Sequence, residues 1–378
     1  MNGITSGNGH QRRDDERLRI ALLAAPMASV PPVAYGGTER VVAALATELT
    51  RRGHQVTVFA SGDSWVEAEV EPVVPQALWG TGYQGDVSAH MLKAAARGWA
   101  KAEQFDLIHS HLEAFGFLLA RHAPVPVLST LHGRLDGVGM PELIEEFADI
   151  PLVAISESQR RWAPAANWAG VVHNGLALAD MPQAPEPDDY LLFVGRVAVE
   201  KGIEDAIALA RRARMPLKVV AKVHDATEHA LYRKIRDSLT PDDQVEFLGE
   251  LPPSARDPLY ARARATLMLG AWPEPFGLVA IESMACGTPV IARRAGALPE
   301  ILRHGTDGYL VDDVGEAELA VRMLDQLDRS GIRESTIERF SASRMTDAYE
   351  RIYRRMLRPR TDRTPREERL TELVAGAR

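Results

Sequence analysis

Short apolar runs alternate with longer amphipathic stretches along this chain, and the alternation stops once and then begins again. A strand followed by a helix cannot form a hairpin with the next strand. Such runs must instead pair in parallel, through right-handed crossovers. Leu18–Ala25 is the first run, and a Pro/Gly-rich loop follows it. Gly37–Arg52 then places Val41, Val42, Leu45 and Leu49 at helical spacing, with Gly53 as the stop. Gln55–Ala60, Phe105–His109, Pro126–Thr130 and Leu152–Ile155 continue the strand series. Leu176–Asp189, rich in proline and acid, reads as a linker. A second series follows: Tyr190–Gly195, Leu217–Ala221, Val245–Gly249, Ala265–Leu269 and Pro289–Ala292. Helices are expected over 200–213, 226–239, 254–263 and 277–285, and a last amphipathic helix over 336–357.

The 378 residues suffice for two domains of ordinary size. The expected fold class is α/β, with two Rossmann-like parallel-sheet domains facing a central cleft. The first domain occupies 18–176, the linker 177–189 and the second domain 190–335. The helix over 336–357 is expected to cross back to the first domain. Segments 1–17 and 358–378 read as a disordered extension and a mobile tail. The net charge of −8 argues against a nucleic-acid partner. Cys286 stands alone, so no intrachain disulfide can form. The first residues carry no apolar signal core, and no run is long enough for a transmembrane segment. A cytoplasmic protein is therefore expected.

In open α/β sheets, ligands bind beyond the carboxyl ends of the strands. Two motifs fall there. In the first, Glu274 and Glu282 flank seven residues beginning Pro-Phe-Gly, between the run ATLML and a helix. A helix N-terminus offers unpaired N–H groups and a positive dipole end to a phosphate. Carboxylates suit vicinal hydroxyls because they accept two hydrogen bonds. Glu274 could therefore meet a sugar and Glu282 a ribose, although each glutamate alone would also suit an ordinary helix start. The second motif is Gly195-Arg196-Val197-Ala198-Val199-Glu200-Lys201-Gly202. Its two cations form a reasonable diphosphate clamp. By itself the loop also fits a solvated turn.

The paired strings FVGRVAVEKG and EPFGLVAIESMACGTPVIA resemble those of the retaining family 4 glycosyltransferases (glycosyl transferases group 1), which have the GT-B fold. The resemblance runs from about Leu18 to Met356. It includes Gly36-Gly37-Thr38-Glu39, His132-Gly133, Ile155-Ser156-Glu157-Ser158 and His173-Asn174-Gly175. It implies that Arg196 and Lys201 contact a donor diphosphate and that Glu274 binds the transferred sugar. Phe276, Gly277 and Leu278 would offer backbone N–H groups, and Glu282 would hold the ribose. Gly36 and Gly37 would lie close to the diphosphate, and His132 would line the sugar pocket. The implied reaction moves a hexosyl group, glucosyl or mannosyl, from a nucleoside diphosphate sugar to an unknown acceptor, with retention. A UDP-sugar is the first expectation for the donor, with no other cofactor.

One turn departs from the family pattern. Lys222-Val223-His224-Asp225 stands where many relatives carry a Gly-rich turn. Lys222 is expected beside the Arg196 loop, as a third cation near the donor or as a surface lysine. His109 and His111 have the spacing of strand ligands, but no third ligand is evident, so no metal is expected. His111 is placed on the acceptor side. Tyr35, Trp79 and Tyr83 are candidates for stacking on an acceptor, or for packing. An epimerase on the same plan and a non-catalytic nucleotide-sugar-binding protein are the alternatives. A nicotinamide-dependent dehydrogenase is excluded, because no G-x-G-x-x-G turn follows the first strand.

Overall fold

The computed structural model describes residues 17–34, 36–83 and 85–358. The extensions expected over 1–17 and 358–378 lie, apart from Arg17 and Arg358, outside the described residues, as does Tyr35. The first half is a seven-stranded, all-parallel sheet in the order β3-β2-β1-β4-β5-β6-β7. Its strands are β1 Arg19–Leu23, β2 Gln55–Ser61, β3 Glu69–Val74, β4 Leu107–Ser110, β5 Val127–Leu131, β6 Leu152–Ala154 and β7 Trp168–Val171. The second half is a six-stranded parallel sheet in the order β10-β9-β8-β11-β12-β13. It comprises β8 Leu191–Arg196, β9 Leu217–Lys222, β10 Val245–Gly249, β11 Ala265–Met268, β12 Val290–Arg293 and β13 Gly308–Val311.

The main helices of the first half are α1 Gly37–Arg51, α2 Val87–Ala100 and α3 Met140–Glu146. The second half carries α4 Ile203–Ala213, α5 Ala226–Ser238, α6 Pro253–Arg262, α7 Leu278–Ala285 and α8 Val314–Met323. Helices α9 Arg329–Phe340 and α10 Ala342–Leu357 complete the described residues. The α/β architecture of two facing parallel sheets is the one expected. Three strands escaped the sequence reading: β3, β7 and β13. All are sheet edges. An edge strand needs less apolar character, and β3 carries two glutamates and Pro72, while β7 is only half-buried throughout.

The helix expected over 336–357 is two helices. At Ser341 the backbone is extended, and its Oγ accepts from the N–H of Arg344 at 3.3 Å to cap α10. The break has a tertiary cause. Leu176, where the chain leaves the first sheet, donates its N–H to Phe340 O at 3.0 Å and accepts from Ala342 N at 2.9 Å. These backbone bonds take groups that a continuous helix would use internally.

Helix α10 buries Met345, Tyr349, Ile352 and Tyr353 on one face, packed against the first half. Arg52 holds its other flank, donating to Asp347 at 2.6 Å and to Glu350 at 2.9 Å. Tyr353 hydroxyl and His109 Nδ1 are 2.7 Å apart, and His109 Nε2 lies 2.7 Å from Thr130 Oγ1. Thr130 Oγ1 in turn meets the Tyr349 hydroxyl at 3.0 Å. All four side chains are fully buried. Removing one partner leaves the other unsatisfied in a dry interior, which costs about 1–3 kcal/mol. Tyr353→Phe is therefore expected to lower the unfolding free energy by about 1–3 kcal/mol in urea titration. An unchanged midpoint would show that the His109–Tyr353 bond contributes nothing to docking α10.

Candidate active site

In each sheet the strand order turns back on itself once, between β1 and β4 and between β8 and β11. The loops leaving the carboxyl ends of those strands surround a cavity of about 430 Å³, a size suited to a small-molecule ligand. Every residue that the sequence assigned to the donor site lines it. Gly36, Gly37 and His132 come from the first half. Arg196, Lys201, Lys222, Glu274, Phe276, Gly277, Leu278 and Glu282 come from the second.

The N-terminus of α7 opens into this cavity. Gly277 precedes the helix with φ 106°, a left-handed conformation that favours glycine. No side chain caps the helix there, so its first N–H groups point to the cavity without a side-chain acceptor. Phe276 is buried against His173 and Phe340, at 5.7 and 5.9 Å between ring centroids. Its contribution to the cavity is therefore made by backbone. Gly36 lies across the gap, where a Cβ would come within 2.8 Å of Pro32.

The cations are already paired. Arg196 donates to Glu200 at 2.8 Å and also to Glu228. Lys201 bonds Glu274. Lys222 is the register partner of Arg196 between β9 and β8, and its ammonium sits 4.8 Å from the Trp79 ring centroid. The sheet thus brings the third cation beside the first, as the parallel pairing predicted. Carboxylates occupy the cation positions that the sequence reading gave to phosphates.

Glu282 is almost wholly buried. Its carboxylate accepts from Arg40 of α1, from Arg256 of α6 at 2.9 Å and from the Tyr260 hydroxyl at 3.3 Å. It therefore ties the two halves together across the cleft. Neither arginine stood out in the sequence. Arg40 follows the Gly36–Glu39 motif directly, and that proximity was the available signal. Arg256 had none, because only the folding of α6 against α7 brings it to Glu282. Trp272 and Asn174 also line the cavity. Trp272 packs under the Arg134 guanidinium at 4.2 Å, and the Asn174 Oδ1 is buried without a partner.

His132 follows β5. Its backbone N–H and that of Gly133 donate to Glu113 Oε1 at 2.9 and 3.1 Å. Burial pushes the Glu113 carboxyl up to about 7, against the pull of those two bonds, and holds His132 down at about 4. His111 is not on the cavity wall: it lies behind His132, about 1% exposed. Among the acceptor candidates, Trp79 lines the cavity, but on the Lys222 side. Tyr83 does not: its hydroxyl donates to Asp86 O at 3.2 Å and its ring packs edge-on to His90 at 5.0 Å. Among the described residues no group of three or more His, Cys, Asp or Glu could hold a metal ion, and no helix is long and apolar enough to cross a membrane.

Glu39 also lines the cavity and is about 5% exposed. Burial raises its carboxyl to about 7, with its own backbone N–H opposing. The unfolded value is about 4.5. Between those values the native chain binds more protons than the unfolded chain, so stability falls as pH rises. Glu39→Gln cannot ionise. Its stability relative to the parent is expected to grow by about 2–3 kcal/mol between pH 5 and 8, measured by urea unfolding at each pH. A constant difference would show that Glu39 keeps an ordinary carboxylate environment.

Comparisons with known proteins agree on one family. Residues 35–175 match the model described as Glycosyltransferase Family 4, and residues 179–340 that described as Glycosyl transferases group 1. A D-inositol 3-phosphate glycosyltransferase of Mycolicibacterium smegmatis is 28% identical, over 92% of this chain and 93% of the relative. An N-acetyl-alpha-D-glucosaminyl L-malate synthase of Bacillus anthracis is 33% identical, over 46% of this chain and 47% of its own. Among solved structures, a glycosyltransferase involved in avilamycin A biosynthesis superposes with TM-score 0.68 at 25% identity, over 90% of this chain and 98% of that one. A sucrose-phosphate synthase from Thermosynechococcus elongatus shares the fold, with TM-score 0.73 at 22% identity over 90% and 99% of the two chains. With its facing parallel sheets and a cleft lined by both motifs, the chain is a glycosyltransferase of group 1, of the family 4 type with the GT-B fold.

Proposed function

We propose that the enzyme is a retaining, metal-independent hexosyltransferase that uses a nucleoside diphosphate sugar, with UDP-glucose or another UDP-hexose as the first candidate. The observation that carries this reading is the meeting of Arg196, Lys201 and the uncapped N-terminus of α7 on one wall of one cavity. Uridine, retention and the choice between glucosyl and mannosyl follow the motif resemblance. The acceptor is left open. None of the relatives described above is an epimerase, and no feature of the cavity favours one.

In the proposed reaction the bond between the anomeric carbon and the diphosphate oxygen breaks, and its electron pair stays on the diphosphate. The sugar passes through an oxocarbenium-like state, and the acceptor hydroxyl forms the new C–O bond while its proton passes to the departing diphosphate oxygen. The growing diphosphate charge is met by Arg196, Lys201 and the α7 N–H groups, held in place before the reaction begins. Each cation at ~4 Å from a phosphate charge gains roughly 4 kcal/mol at an effective dielectric near 20, before desolvation. The phosphates exchange with Glu274 for Lys201 and with Glu200 and Glu228 for Arg196. Glu274, released from Lys201, then accepts from sugar hydroxyls. Lys222 adds a third positive charge beside Arg196.

Lys201→Ala is expected to retain the fold and lose at least about a hundredfold in turnover with a nucleotide sugar. Near-normal turnover would remove Lys201 from the clamp. Lys222→Ala is expected to raise the donor KM with a smaller change in kcat; an unchanged KM would make it a surface lysine. Calorimetric titration with UDP, GDP and ADP and their hexose conjugates, in EDTA, is expected to show tight binding of one series. Binding that appears only when Mg²⁺ is added would overturn metal independence. No binding to the folded protein under either condition would favour a non-catalytic role.

A further inference from the structure

Three histidines, His109 and His111 buried and His132 partly buried, stand between the cleft and helix α10, and the reaction proposed above uses none of them. His111 follows β4, where its backbone N–H donates to Leu23 O at 2.9 Å. Its Nδ1 lies 2.9 Å from His132 Nε2. Its Nε2 is buried and has no hydrogen-bond partner. His109 stacks against it at 4.1 Å between centroids, but both His109 nitrogens are engaged by Tyr353 and Thr130. The His111–His132 bond is therefore closed to its buried neighbours.

A neutral imidazole carries one N–H and one bare nitrogen. Burial keeps His111 well below its ordinary pKa and His132 at about 4, so both rings are neutral at physiological pH. Two proton arrangements then fit the 2.9 Å contact. If His132 Nε2 donates, the His111 proton must sit on Nε2, as a buried N–H with no acceptor. If His111 Nδ1 donates, the orphan is only a bare lone pair. Buried orphan N–H groups are the rarer and costlier case. The second arrangement therefore wins. It makes His132 Nε2 an acceptor and puts the His132 proton on Nδ1. No described protein group meets that nitrogen, and His132 lines the cavity.

We propose that His111 is a positioning residue: by donating from Nδ1 to His132 Nε2 it fixes His132 as an Nδ1–H donor toward the ligand cavity. In that form His132 can give a hydrogen bond to an oxygen of the sugar and cannot accept one from a sugar hydroxyl. The ligand half of the inference rests on the donor-site reading above. The tautomer half stands on the protein alone.

The test uses the full chain with ¹⁵N-labelled histidine. Two-bond ¹H–¹⁵N correlation spectra report which ring nitrogen carries the proton, with assignment from His132→Asn. In the parent, His132 is expected as the Nδ1–H form; an Nε2–H form would overturn the proposal without reference to any ligand. His111→Phe removes the donor and keeps a ring of similar size. It is expected to release the His132 tautomer and to weaken UDP-glucose binding about tenfold, with UDP unchanged. His111→Asn keeps an N–H close to the Nδ1 position and is expected to restore both. A shifted tautomer with unchanged UDP-glucose affinity would overturn the positioning role. Should His111→Phe fail to fold, the parent spectrum and the Asn variant still decide. A parent in the Nδ1–H form that binds neither UDP nor UDP-glucose would count against the donor reading, not against the His111–His132 bond.

Discussion

Two parallel sheets share one cleft only if their carboxyl edges are held face to face, and in this chain the return of α10 onto the first half does the holding. The chain leaves the first sheet at Leu176 and comes back at Ser341, and the two points are joined by backbone hydrogen bonds. Tyr349 and Tyr353 then enter the first half beside His109 and Thr130. One continuous apolar cluster runs from β1 through the linker and α7 to α10. The second half is therefore anchored to the first by core packing as well as by the linker. The position of every cleft residue depends on that anchor.

Within the cleft the dominant feature is charge already matched. Lys201 holds Glu274, Arg196 holds Glu200 and Glu228, and Glu282 sits between Arg40 and Arg256. A buried charge without a partner is costly, so the cations of the cleft need neutralising partners. The carboxylates serve that purpose. The arrangement also differs from pair to pair. Glu274 and Glu200 are partly exposed, whereas Glu282 is buried between groups from both halves. It ties the two halves together across the cleft.

Beside and behind the cleft, desolvation sets the uncharged groups. His109, His111 and His132 are kept neutral, and Glu39 and Glu113 are raised toward neutrality. A region in which carboxyls and imidazoles both lose their charge has little water to stabilise ions. Such surroundings strengthen any charge interaction formed inside the cleft.

Much of this was legible in the residues. The apolar runs become parallel strands because runs buried on both faces must be apolar throughout, and the edges β3 and β7 escaped because they need not be. The loop motifs at Arg196–Lys201 and Glu274–Glu282 could be read because phosphate and hydroxyl recognition demand particular residue types close together in the chain. What the tertiary structure decided is everything that joins distant segments. The pairing of Arg40 and Arg256 with Glu282, the break at Ser341 and the contact of His111 with His132 each depend on elements far apart in sequence. Local pattern constrains a residue only through neighbours within a turn or a strand, so the sequence determined the elements and the chemistry of their loops. Which carboxylate meets which cation, and which histidine lines the cavity, was determined only by tertiary packing.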